Sequence, residues 1–276
     1  MALGWRSKVA DGRRRRELER AVAAVPHWFH SIDLGDGVVT PGHKTAEHLA
    51  AETDSFRLPD LSGKSVLDIG AWDGFYSFEA ERRGAARVVA LDHYAWSLDV
   101  GAMRAYWDRC RDEGRQPELY EHVPEVWHPG TLPGKRGFDL ARSALESEVD
   151  ELVADFMATD PADIGTFDVT FFLGLLYHLE DPMAALRRLR RVTGELAVIE
   201  TACMVLVGLA DRPMWDFFPA DELNGDPGNW WAPNVAALVG ACRAAGFAEV
   251  EVVAQPPDDL PPWEVFHGRA VVHAIC

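Results

Sequence analysis

Residues 66–78 read VLDIGAWDGFYSF, and the fold follows from how that run divides. Val66, Leu67 and Ile69 form a short apolar segment of strand character, broken only by Asp68 and ended by Gly70. A loop of the form D-x-G-x-W-x-G occupies residues 68–74. The next stretch, FYSFEAERRG (75–84), has helical composition and stops on a glycine. A buried strand, a glycine loop and a helix, in that order, make the first unit of an α/β protein built on a parallel sheet.

The alternation continues outward. RVVALD (87–92), part of VDELVADF (149–156), FDVTFFLG (167–174) and GELAVIETA (194–202) read as strands. FDLARSAL (138–145), PMAALRRLRRV (182–192) and NVAALVGACRAAGF (234–247) read as helices. AEVEVVA (248–254) and RAVVHAIC (269–276) have no helix between them, which predicts antiparallel pairing at one side of the sheet. The fold class is therefore α/β, Rossmann-like and mostly parallel, with an antiparallel last strand. Residues 1–62 form an N-terminal helical and aromatic extension over the site. Residues 63–276 form the ligand-binding domain, with aromatic insertions at 94–137 and 203–233 that are expected to act as lids.

Composition sets limits. The chain of 276 residues is 48% hydrophobic and 26% charged, as expected for one large core. Its longest apolar run, LAVIETACMVLVGLA (196–210), is too short for a bilayer and holds Glu200 and Thr201. The N-terminus has no apolar leader segment, so a cytoplasmic location without a membrane partner is expected. Cys110, Cys203, Cys242 and Cys276 form no CxxC pair and read as free thiols. Net charge is −17, yet the first twenty residues carry Arg6, Lys8, Arg13 to Arg16 and Arg20 against Asp11, Glu17 and Glu19. The Arg run reads as a solvated helix face, and the acidic body disfavours a nucleic-acid partner. Nothing in the sequence bears on oligomeric state.

The loop itself selects a ligand. A dinucleotide site wants GxGxxG, whose second glycine lets the backbone approach a pyrophosphate. Here Trp72 takes the middle position, so a diphosphate is disfavoured and the expected cofactor is S-adenosylmethionine, whose ammonium Asp68 can attract. Trp72 reads as a wall of the site rather than as a hinge of the loop. The loop, Asp68, Gly70, Ala71, Trp72 and Gly74, resembles motif I of class I methyltransferases. That resemblance implies that Asp92, with His93 beside it, meets the ribose hydroxyls, and that Asp155 and Phe156 meet the adenine. It also implies that Leu173 lies near the methionine part.

DIGAWDGFYSFEAERRGA together with LGLLYHLEDP (173–182) resembles the methyltransferase group related to bacterial tRNA wobble-uridine carboxymethyltransferases. The similarity runs from about residue 64 to the C-terminus, with a weaker match in HWFHSIDLGDG. In those enzymes the donor carries a carboxylate held by a flanking lysine, a tyrosine and an arginine of the last strand. Tyr177 and Arg269 fall at matching places. The flank VPHWFHSIDLGDG (25–37) has no lysine, a departure that weighs against carboxymethyl transfer.

Transfer to a hydroxyl needs a base that works near neutral pH, and histidine is suited to that. His178, with Tyr177 beside it, follows the fourth strand and is the first candidate, with His30 and then His93 behind it. HWFH (27–30) and HKTAEH (43–48) lack carboxylate partners, so no metal is expected. Trp28, Phe29, Asn224, Asn229, Trp230, Trp231 and Arg269 are the candidate acceptor contacts, because aromatic faces with amide edges suit a ring or sugar. The sequence thus reads as an S-adenosylmethionine-dependent O-methyltransferase of natural-product biosynthesis, with a small-molecule acceptor such as a sugar hydroxyl. A tRNA wobble-uridine (carboxy)methyltransferase-like enzyme and a non-catalytic S-adenosylmethionine-binding protein stay open as alternatives.

Overall fold

Strand alternation sets the architecture of the computed structural model, which describes residues 2–257 and 265–276, with side chains from residue 12 onward. The side chains of Arg6, Lys8 and Asp11, part of the N-terminal charge pattern, lie outside the described residues. In β1 (Ser65–Ile69), Val66 packs into one hydrophobic cluster and Leu67 and Ile69 into another, so the strand is apolar on both faces. The same division holds in β2 (Arg87–Asp92), where Val88 and Ala90 oppose Val89 and Leu91.

With β3 (Asp150–Val153), β4 (Phe167–Leu173), β5 (Thr193–Leu206), β8 (Glu249–Ala254) and β9 (Val265–Ile275), these strands form a seven-stranded sheet of order β3-β2-β1-β4-β5-β9-β8. β9 is antiparallel to both neighbours, and the other described pairings of this sheet are parallel. Helices cover both faces. One face packs on α1 (Ala2–Ala24), α2 (Ala46–Phe56), α3 (Phe75–Arg82) and α6 (Arg136–Ala144) through Leu18, Leu49, Phe78 and Phe138. The other packs on α7 (Pro161–Ile164), α8 (Pro182–Val192) and α9 (Val235–Ala245) through Ile164, Leu186 and Leu238. The final strands pair as the missing helix predicts. β5 and β9 run longer than their apolar cores, because they form one ribbon from Leu196↔Ile275 to Leu206↔Val265.

Both insertions have internal structure. Residues 94–137 contain α4 (Tyr94–Ser97) and α5 (Val100–Glu113), which close a separate cluster around Tyr106, Cys110, Tyr120 and Val126. Residues 203–233 include the hairpin of β6 (Trp215–Phe217) and β7 (Trp231–Pro233). In α1, Arg13–Glu17 and Arg15–Glu19 pair at i,i+4 on an exposed face, consistent with a solvated helix surface. Among the described residues no helix is long and apolar enough to cross a membrane.

Candidate active site

Strand order reverses between β1 and β4, and in an open α/β sheet the crevice beyond that point is where a ligand sits. Gly70 ends the β1 side and Gly174 follows β4 on the other. Both have positive φ, 81° and 68°, and a Cβ on Gly70 would meet Leu175 at 3.7 Å. Gly74, at φ 86°, opens α3, and a Cβ there would press within 2.9 Å of both Phe138 and Phe78. The glycines of the loop are therefore required by backbone conformation and by packing.

Trp72 corrects one expectation. Its φ is 48°, the left-handed region that an aromatic residue rarely adopts, so it is itself part of the turn. Three contacts hold it there. Its N–H donates to Asp92 Oδ2 at 2.9 Å, its carbonyl accepts Trp96 Nε1 at 2.7 Å, and its ring stacks on Phe29. Asp92 also accepts the Ala95 N–H at 3.0 Å, so both oxygens are engaged by the loop and the following turn. Burial raises the Asp92 carboxyl to about 6 against these backbone donors. Asp68, equally enclosed, accepts Ser77 Oγ at 2.6 Å and is pushed up to about 7 by burial.

Asp73, the second acid of the opening run, has a role that the sequence reading missed. Its Oδ2 accepts the N–H groups of Phe29 at 2.7 Å and His30 at 2.8 Å, clamping the N-terminal flank onto the glycine loop. The sequence signal was an acid with no surface to face, between an aromatic and a buried glycine. Phe29 is thereby held against Trp72. His30 is 5% exposed, its Nδ1 has no hydrogen-bond partner, and burial with nearby Lys44 lowers it to about 3.

Trp28 is corrected outright. It is 2% exposed in the core beside Gly137, with Nε1 donating to the Val22 carbonyl, because its neighbours on either side point to the loop and it points inward. The flank does acquire a lysine through folding: Lys44 bridges backbone to His30 and lies 5.4 Å over the Phe29 ring. Its amine is bound by both oxygens of Glu52, which also accepts the Tyr76 hydroxyl at 2.8 Å.

At the β4–β5 side, Arg269 and Glu200 form a two-pronged ion pair, with Nη2–Oε2 at 2.6 Å. The two strands place them diagonally, since Ala202 is the partner of Arg269 and Val271 that of Glu200. Arg269 also lies 4.7 Å over the Tyr177 ring. A Cβ on Gly174 would meet Arg269 Nη2 at 3.5 Å, Glu200 Oε2 at 3.7 Å and the Tyr177 hydroxyl at 3.8 Å. Glu200 was visible in sequence as a carboxylate inside a buried strand, yet its partner becomes apparent only from the antiparallel register.

His178 sits in a short 3-10 turn after β4, where its Nδ1 meets the Gly228 carbonyl at 3.0 Å. A carbonyl only accepts, so Nδ1 carries the proton and Nε2 keeps its lone pair. Burial lowers its pKa, opposed by Asp226 and the Gly228 carbonyl. Asp226 Oδ1 accepts the Gly228 N–H at 2.8 Å and is 3.4 Å from the Tyr120 hydroxyl, joining the two insertions.

The remaining candidates are spread out. Trp230 N–H donates to the Tyr177 carbonyl at 2.8 Å, while Trp231 Nε1 turns to the Glu180 carbonyl. Asn229 is corrected to a buried loop support, 2% exposed and donating to the Leu223 carbonyl at 2.6 Å. Asn224 occupies a turn at φ 61°. His93 precedes α4 with its ring against Trp127. Asp155 follows β3, exposed, and caps a turn through Met157 and Ala158, with Phe156 packed on Phe172. Leu173 is the last residue of β4. Among the described residues no group of three or more metal-ligating side chains converges.

The donor set fits S-adenosylmethionine: acids at Asp68 and Asp92, and a cradle at Gly174 that a Cβ would fill. No family model matches the chain. A tRNA U34 carboxymethyltransferase of Ectopseudomonas mendocina is 30% identical over 199 residues, covering 70% of this chain and 48% of that protein. One from Chromohalobacter salexigens is 28% identical over 222 residues, covering 77% and 54%. The chain thus spans about half the length of these curated relatives. Among solved structures, the N-terminal domain of EvdMO1 with SAH bound superposes with a TM-score of 0.58 at 18% identity, over 95% of this chain and 96% of that one. The tRNA relatives overturn the expectation of a small-molecule acceptor with a nucleic-acid partner disfavoured. Net charge is a sum over the whole chain and does not determine the sign of any one face.

Proposed function

We propose that this chain, a class I methyltransferase in fold and a relative of the tRNA wobble-uridine carboxymethyltransferases, transfers a methyl or carboxymethyl group from an S-adenosylmethionine-type donor to a tRNA wobble uridine. The observation that carries this reading is the match to the tRNA enzymes over 70% of the chain. The converging crevice of Gly70, Gly174, Asp68 and Asp92 supports it.

Asp68 and Asp92 hold the ammonium and ribose ends of the cofactor, and the Trp72–Phe29 stack walls the site. When bound, the cofactor supplies a carbon already activated by a sulfonium charge. His178 takes the acceptor proton at Nε2, since its Nδ1 is committed to Gly228. The insertions, joined at Tyr120 and Asp226, exclude water.

The test is incubation of the purified chain with S-adenosylmethionine, or its carboxylated form, and bulk bacterial tRNA. S-adenosylhomocysteine release and a mass gain on the wobble uridine after nucleoside digestion are expected, with tRNA binding that weakens as salt rises. A chain that binds S-adenosylhomocysteine but shows no tRNA-dependent turnover with either donor would overturn the reading.

A further inference from the structure

Two cations at the crevice and its flank, Arg269 beside Gly174 and Lys44 over Phe29, are each paired with a carboxylate. Arg269, whose side chain is 39% exposed, gives Nε and Nη2 to Glu200, a carboxylate only 8% exposed. Both charges face Gly174 almost equally, with Arg269 Nη2 at 3.5 Å and Glu200 Oε2 at 3.7 Å from the position of a Cβ there. On the flank side, Lys44 gives its amine to both oxygens of Glu52, at 2.8 and 2.7 Å. With Asp92 on β2 as the proposed ribose contact, a bound cofactor would turn its sulfonium end toward Gly174 and this pair.

We infer that Glu200 makes the site selective for the uncarboxylated donor, so that the transferred group is a methyl. The inference rests on the proposed use of an S-adenosylmethionine-type donor. A carboxymethyl donor brings a carboxylate to the sulfonium end, and such a group needs a cation with charge to spare. Here it meets an ion pair whose negative member is buried and cannot turn to solvent. Like charges brought together out of water are strongly disfavoured, and breaking the pair to free Arg269 leaves Glu200 buried and alone.

A methyl group asks nothing of either charge. The neutral pair, with the Tyr177 ring over the guanidinium, leaves that end polar and without net charge. In the transfer a nucleophilic oxygen of the acceptor bonds to the methyl carbon as the carbon–sulfur bond breaks. The bonding pair stays on sulfur, which becomes a neutral thioether, and the acceptor proton passes to His178 Nε2.

Calorimetric titration of S-adenosylmethionine, its carboxylated form and S-adenosylhomocysteine into the full chain and its Glu200→Gln variant tests this. S-adenosylmethionine should bind the parent at least about tenfold more tightly than the carboxylated donor, and Glu200→Gln should move that ratio about tenfold toward the carboxylated donor. Equal affinities, or a parent that prefers the carboxylated donor, would overturn the selectivity while leaving the transferase reading intact. An unchanged ratio in a folded variant would remove Glu200 as its source. Failure of all three ligands to bind would overturn both. Should the variant not fold, the ratio on the parent chain still decides which donor the site takes.

Discussion

Trp72 lies flat on Phe29, with ring centroids 4.2 Å apart and planes 1° from parallel. The stack joins the glycine loop to the N-terminal flank and helps keep Trp72 in a left-handed conformation that costs of order 1–3 kcal/mol. Removing Phe29 withdraws that support. Phe29→Ala should weaken S-adenosylhomocysteine binding by about two- to tenfold, the stacking contribution being roughly 0.5–1.5 kcal/mol beyond area. Trp72→Ala, which loses the stack and keeps the strained φ, should melt at a lower temperature than Trp72→Gly, which loses the stack and the strain together. Equal melting temperatures for the two would remove strain from this account of the loop.

Asp73 makes the same junction sensitive to pH. Burial raises its carboxyl to about 7 although the Phe29 and His30 amides oppose the shift. The folded form therefore holds this proton more tightly than the unfolded chain does. The resulting stabilisation is complete below the ordinary carboxyl value of 3.8 and is lost as pH rises through about 7. Asp68, also near 7, and Asp92, near 6, act in the same direction. Asp73→Asn keeps an acceptor for both amides and carries no charge, so it should gain stability over the parent at pH 8 and little at pH 4. Denaturant titrations at the two values measure this, and an equal effect at both would show that Asp73 does not titrate in the range given.

The sheet was legible because its strands are apolar on both faces and are separated by helices with one apolar side. The glycine loop stood out because Gly70, Trp72 and Gly74 cannot be read as continuing either element. What escaped the sequence was pairing over distance. Glu200 and Arg269 are sixty-nine positions apart and meet only through the register of an antiparallel ribbon. Lys44 reaches the flank only because residues 31–43 turn back on themselves to bridge it to His30. Trp28 and Phe29 are adjacent in a single aromatic cluster, yet a local turn sends one into the core and the other onto Trp72. The expectation against a nucleic-acid partner, which the tRNA relatives overturn, failed for a related reason: total charge is readable from composition, whereas the face on which it gathers is not.

Asp92 ties the loop together and is the proposed ribose contact, so its removal should be felt twice. Asp92→Ala leaves the Trp72 and Ala95 amides without their acceptor, at a cost of about 1–3 kcal/mol for each group that stays buried and unsatisfied. S-adenosylhomocysteine affinity should also fall by tenfold or more, through lost hydrogen bonds to the ribose. Asp92→Asn separates the two effects. Its single carbonyl oxygen can accept only one of the two amides, with its NH2 facing the other, so it should recover only part of the stability, while the weaker neutral acceptor leaves binding impaired. Calorimetry and chemical denaturation on the same preparations distinguish these outcomes, and full affinity in a folded Asp92→Ala protein would take this residue out of the cofactor site.

His178, the proposed base, has its tautomer fixed by one contact. Because Nδ1 donates to Gly228, the lone pair stays on Nε2, and burial, its largest influence, keeps the ring neutral below the ordinary histidine value of 6.5. As general base it should give a kcat that falls only on the acid side, with the limb below 6.5 and no loss from pH 7 upward. His178→Ala should lower kcat by about 10²- to 10⁴-fold with cofactor affinity nearly unchanged, since the lost interaction belongs to the transition state. His178→Gln serves as a structural control: its amide can still donate to Gly228 but is no base, so it should keep stability and remain slow. A purely structural histidine would give the opposite pattern, with near-parent kcat in the folded Gln variant and an unchanged acid limb. Rate, cofactor affinity and melting temperature on one preparation of each variant decide between these, and a fast Gln variant would shift the proton to water or to another group of the acceptor site.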